Sequence, residues 1–133
     1  MFPMSFIHIQ CKMIAQCFVN SGIAGVDSDI FCEQFLTSNY GHSILTDQRM
    51  TEYADANFMY EGLERELPLK KGLCYEADVL YFAGYLYKYW ISTKEVDPRT
   101  IWKIAPISLI AERYGFYHTQ GYDYVISDLI DRH

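Results

Sequence analysis

The chain has 133 residues, a net charge of −6 and a pI near 5.1. That length fits one domain, residues 1–133, able to bury about two-thirds of the surface its unfolded form exposes. Half the residues are hydrophobic, which excludes a disordered chain. The acidity argues against nucleic acid as a partner, because phosphate backbones repel it.

The first helical pattern runs from Ser5 to Asn20, where Phe6, Met13, Ile14, Cys17 and Phe18 recur at helical spacing. His8, Gln10, Lys12 and Gln16 interrupt its apolar run, so it reads neither as a signal peptide nor as a membrane span. The expected location is the cytoplasm, with no membrane association. After "NSGIAGVD", Asp27 or Ser28 caps a second helix carrying Ile30, Phe31, Phe35 and Leu36. Residues 39–50 are rich in turn formers; they could hold a short helical turn and are the expected place for a short hairpin. A third, acidic helix is expected from Thr51 to Leu67, closed by "PLKKG".

"YEADVLYFAGYLYKYWISTK" carries the strongest pattern. Val79, Phe82, Ala83, Leu86 and Trp90 make one stripe, and Tyr81, Tyr85 and Tyr89 make another. Apolar surface wraps most of this helix, which places it at the centre of the fold. Gly84 costs about 1 kcal/mol against alanine in a helix, so its presence predicts another backbone close by. Asp97 followed by Pro98 starts the next helix. Pro106 begins another, and Val125, Ile126, Leu129 and Ile130 mark the last. The architecture expected is an all-α, compact single-domain bundle of about six or seven helices.

No strong catalytic, metal or nucleotide signature is present. His8-x-x-Cys11 places two metal ligands on one helical face, but no second short-spaced pair completes a site. The cysteines Cys11, Cys17, Cys32 and Cys74 stand among apolar residues and are expected to be buried, inert thiols. No metal and no cofactor is expected. Arg113 and His118 form an Arg-x4-His motif that resembles the catalytic motif of the HEPN family of small all-α ribonucleases. In that family the pair meets at a dimer cleft and handles the phosphate and 2′-hydroxyl. The plainer expectation is that Arg113 serves a helix end and His118 hydrogen-bonds in the turn that follows.

The aromatic content, 17% of residues with 12 tyrosines, exceeds what a core of this size needs and suits a surface that packs on a partner. The residues expected to bind that partner are Tyr81, Tyr85, Tyr89, Trp90 and Trp102, with His118 and Tyr122 at the closing turn. Residues 75–131 also resemble small bacterial all-α proteins of toxin–antitoxin-like gene pairs. The matching residues are Gly84, Tyr85, Tyr87, Trp90, His118, Thr119, Asp128 and Leu129. The resemblance implies a helical module that works by binding another protein. The expectation is therefore a non-enzymatic interaction module, in its most concrete form an antitoxin-like or accessory partner that masks the product of an adjacent gene. A homodimer is the other assembly it admits. The alternative is a HEPN-like ribonuclease using Arg113 and His118.

Overall fold

A computed structural model describes residues 4–47 and 55–133. Its described residues form eight α-helices: α1 (Met4–Ile23), α2 (Ser28–Thr37), α3 (Asn39–Leu45), α4 (Ala56–Glu66), α5 (Ala77–Lys94), α6 (Pro98–Ile104), α7 (Ile107–Tyr117) and α8 (Tyr122–Arg132). The fold is all-α, with one helix beyond the six or seven expected. The extra one is α3, in the turn-rich stretch that admits either a short helical turn or a hairpin; a helix forms there. Asn39, Gly41 and Ser43 look like turn formers, but Ser38 caps this helix by accepting from the Gly41 N–H at 2.9 Å. Gly41 is there for packing, since a Cβ on it would stand 1.9 Å from the Phe35 carbonyl oxygen. The expected start of the acidic helix, residues 51–54, lies outside the described residues; α4 itself begins after Asp55, whose carboxylate caps the Asn57 N–H.

Local chemistry explains the other boundaries. α1 closes with Gly25 at φ 74, where Val26 N–H reaches back to Ser21 O at 2.9 Å and Gly25 N–H to Gly22 O at 3.0 Å. These paired bonds satisfy carbonyls the helix would otherwise leave open. Asp27 caps α2 by accepting from Ile30 N–H at 3.0 Å. Asp97 caps α6 from Arg99 N–H at 2.8 Å, with Pro98 in the first turn, as its sequence predicts. The β-type pairing found among the described residues lies between residues 25–28 and 70–73. There Asp27 N–H donates to Lys70 O at 2.7 Å and Ser28 N–H to Leu73 O at 3.0 Å.

α5 is the axis of the bundle. Every residue from Phe82 to Ile91 is buried, so the helix is enclosed on all sides, as its all-round apolar surface requires. Its main partner is α1. They cross at Gly84, where a Cβ would lie 2.8 Å from Ala15 Cα and 3.0 Å from Ile14 O. Among the polar anchors that tie α5 to the rest, two are fully buried. Tyr87, fully buried, donates its hydroxyl to Ala105 O at 2.7 Å and accepts from the Cys32 thiol at 3.6 Å. Lys88, also buried, donates its ammonium to Leu45 O at 2.7 Å. Around Tyr87, the rings of Phe18, Phe31 and Phe35 pack edge-to-face and stacked at 5.0–5.7 Å. Among the described residues no helix is long and apolar enough to cross a membrane.

Trp90 is the largest side chain that the core encloses fully. Trp90→Ala is expected to cost about 3–5 kcal/mol through the lost contacts and the cavity left behind. A denaturant melt showing a shift under about 1 kcal/mol would contradict this placement.

Candidate functional site

The seven residues chosen for partner binding do not share one surface. Trp90 is core, 1% exposed. Tyr85 and Tyr89 are also buried, because α1 and α8 close over the tyrosine stripe. His8 of α1 hydrogen-bonds the Tyr85 hydroxyl, and Tyr122 of α8 stacks on Tyr85 with ring centres 4.6 Å apart. Tyr122 also meets Phe82 and Tyr89. Phe82 meets Tyr114, and Tyr114 stacks on His118 at 4.9 Å. The aromatic excess thus builds an inter-helical ring ladder from α1 across α5 to α8 and α7. Tyr85 and Tyr89 lie buried within it, Tyr114 and Tyr122 are half-buried, and His8, Tyr81 and His118 are exposed. Trp102 lies apart on α6, half-buried and without a ring contact among the described residues.

Arg113 lies within α7 and His118 caps its C-terminal end, and the two turn to different partners. Arg113 donates to the Tyr117 hydroxyl at 3.1 Å, and Tyr117 donates to Asp128 of α8 at 2.6 Å. Arg132 completes the chain by holding Asp128 at 2.9 Å. The Tyr117 hydroxyl, followed by the Arg132 guanidinium, lowers the Asp128 carboxyl below its usual range. His118 instead pairs its Nδ1 with Tyr114 O at 2.7 Å in the last turn of α7. Arg113 therefore ties α7 to α8 through Tyr117 and Asp128, and His118 finishes the helix in the turn expected for it.

Three of the four cysteines are the buried hydrophobes expected: burial pushes the thiols of Cys11, Cys17 and Cys32 from the ordinary 9.0 to about 12. Cys74 differs from expectation and is exposed, its thiol donating to Val26 O at 3.1 Å. It lies in the extended segment that pairs with the α1–α2 link, not on a helix with an inner face. No cluster of metal-ligating side chains is found among the described residues.

A sizeable cleft lies elsewhere. It has a volume of about 840 Å³ and opens between the N-terminal part of α1, the end of α3 and the α5–α6 connection. Met4, Ile7, Leu45, Ile91, Val96 and Pro98 supply its apolar wall. Gln10, His42, Ser92 and Thr93 contribute polar groups, and Glu95 and Asp97 stand on the α5–α6 connection. Lys88 lines it as well, with 2% of its surface exposed. Among the described residues no carboxylate lies at ion-pair distance from this ammonium. Burial consequently lowers the Lys88 amine from 10.5 to about 8, with Cys11 and Asp47 opposing the shift. A buried titratable group in a large concave cleft is the physical pattern of a ligand site. The sequence carried one sign of it: Lys88 interrupts the otherwise apolar run "YLYKYW".

No family model matches the chain, and neither a curated protein nor a solved structure matches it.

Two expectations follow from this chemistry. His118→Ala removes one exposed ring and one local hydrogen bond, so the melting temperature should fall by no more than a few degrees; a larger fall would show that His118 holds the α7–α8 turn. The second concerns alkaline pH. The three raised thiols contribute stability that is complete below pH 9.0 and is lost as pH rises toward about 12. Lys88, lowered, works in the opposite sense and adds stability as pH rises from about 8 to 10.5. With three thiols against one amine, the melting temperature should be lower at pH 10.5 than at pH 8 under reducing conditions. A Cys11→Ala, Cys17→Ala, Cys32→Ala triple variant should lose much of that alkaline sensitivity.

Proposed function

We propose that the protein is a non-enzymatic, all-α interaction module whose docking face is the corner between α7 and α8. One observation carries the reading. Phe116 and Tyr124 lie in edge-to-face contact, ring centres 6.1 Å apart, yet stay 54% and 48% exposed. Single exposed apolar residues are ordinary, but a paired aromatic contact left open to water is the kind of anchor that interfaces use. The corner carries acidic residues: Glu112 stands one turn before Phe116 on α7, and Asp123 precedes Tyr124, all exposed. In a chain of net charge −6, this favours a protein partner with an apolar groove and a basic rim. His118 and Tyr122 flank the turn between α7 and α8. The partner proposed is the product of an adjacent gene, which the chain would mask in the manner of an antitoxin. No observation favours the ribonuclease alternative, whose Arg113 and His118 take separate partners here.

The test is co-expression with the neighbouring gene's product, followed by size-exclusion chromatography with light scattering. A stoichiometric complex is expected. Phe116→Glu combined with Tyr124→Ser should weaken it by about thirtyfold or more, with the melting temperature of the chain alone nearly unchanged. The reading fails if the chain alone runs at twice its mass and binds nothing, or if the double variant binds undiminished. RNA cleavage that disappears in Arg113→Ala would replace it with the ribonuclease.

A further inference from the structure

Lys88 raises a question that docking at the α7–α8 corner leaves unanswered. A lysine at a position enclosed by apolar side chains carries a desolvation cost, and hydrophobic residues of similar length fill such positions without it. Its one hydrogen-bond acceptor among the described residues is the Leu45 carbonyl, a neutral group that accepts a proton but supplies no counter-charge. The amine therefore stands on the wall of an 840 Å³ cleft with no carboxylate at ion-pair distance among the described residues, Asp47 acting on it only from further off. The volume falls in the range of small-molecule sites, about 300–1,000 Å³.

The cleft's chemistry narrows what would fit. Its wall is largely apolar: Ile7, Leu45, Ile91, Val96 and Pro98 would cover a hydrocarbon body. Among the described residues that line it, Lys88 is the one lysine and there is no arginine. A phosphate dianion would meet this single cation and also face Glu95 and Asp97 nearby. A monoanion matches the charge available. Asp97 competes little for the amine, being occupied with the Arg99 N–H and lying 3.9 Å from the Arg99 guanidinium. Ser92 and Thr93 add hydroxyls close to Lys88 along α5, although Thr93 donates to Tyr89 O. We propose that this cleft binds a small monocarboxylate with an apolar tail, the carboxylate held by the Lys88 ammonium and the tail laid along the wall formed by α1, α5 and the start of α6. The low proton affinity of the amine, near 8, is the state expected of a buried cation whose counter-ion arrives with the ligand.

The probe is octanoate, titrated into the full chain by isothermal calorimetry at pH 7, with octan-1-ol as the uncharged control. Saturable one-to-one binding is expected, with octan-1-ol weaker by about tenfold or more because it lacks the charge that pairs with Lys88. Lys88→Met should fold, as methionine fills the enclosed position, and should weaken octanoate by about tenfold or more. Should that variant fail to fold, Ser92→Trp tests the same cleft by filling it from α5 with Lys88 intact, and it should abolish binding. The proposal is overturned if octanoate does not saturate the wild type, if octan-1-ol binds equally well, or if a folded Lys88→Met or Ser92→Trp variant binds octanoate as tightly as the wild type.

Discussion

The close crossing of α1 and α5 is the constraint on which the rest of the structure depends. Gly84 allows the two backbones to approach until Ala15 Cα lies where a side chain on residue 84 would stand. At that separation the ring of Phe18 on α1 also reaches to 2.8 Å from where a Cβ on residue 84 would stand. α5 then becomes a buried axis, and the other helices pack where its remaining faces allow. α2 and α6 gather around Tyr87, whose hydroxyl bonds one of them and accepts from the other. α7 and α8 cover the tyrosine side. A side chain at residue 84 would push α1 outward and disturb both the ring ladder and the wall of the Lys88 cleft, since α1 contributes His8 to one and Ile7 to the other.

The polar groups inside this bundle serve different ends. Tyr87 is a neutral donor and acceptor with both roles filled, and it pins helices in register at little electrostatic cost. Tyr117 does the same nearer the surface, where Arg113, Asp128 and Arg132 form a chain of charge-assisted bonds that fastens α8 to α7. Lys88 is the exception, a cation in a site with a neutral acceptor and an open cleft. The contrast sets the pins that hold the fold apart from one buried cation with no carboxylate at ion-pair distance among the described residues.

Much of the fold was legible locally. The caps at Asp27 and Asp97, the proline at the start of α6 and the glycine in α5 each act through their immediate neighbours, and the pattern of apolar residues identified α5 as central. What was not legible depends on distant parts of the chain. Gly41 looks like a turn residue until the Phe35 carbonyl beside it is seen. The tyrosine stripe looks like an exposed surface until α1 and α8 are placed over it, and pattern alone cannot tell a ring facing a helix from one facing a partner. Cys74 looked buried by the residues around it but sits on an extended segment with no inner face. Lys88 reads as an interruption in an apolar run; the cleft that gives it meaning is assembled from α1, α3 and the α5–α6 connection, which are far apart in sequence.

The pairing of α1 with α5 also bears on how the chain is made. α1 ends at Ile23 and its partner begins at Ala77, so α1, made before α5, waits for more than fifty residues to follow. At about 5–20 residues per second, that wait lasts several seconds. Through that interval Cys11, Ile14, Cys17 and Phe18, all buried in the finished protein, have no α5 to cover them. Contacts this distant make folding slower than is usual for a helical protein, because a long loop must close before the central interface rewards it. The nascent chain is thus most open to chaperones and to misassociation before α5 has been synthesised, and the α1–α5 crossing is the step that ends its exposure.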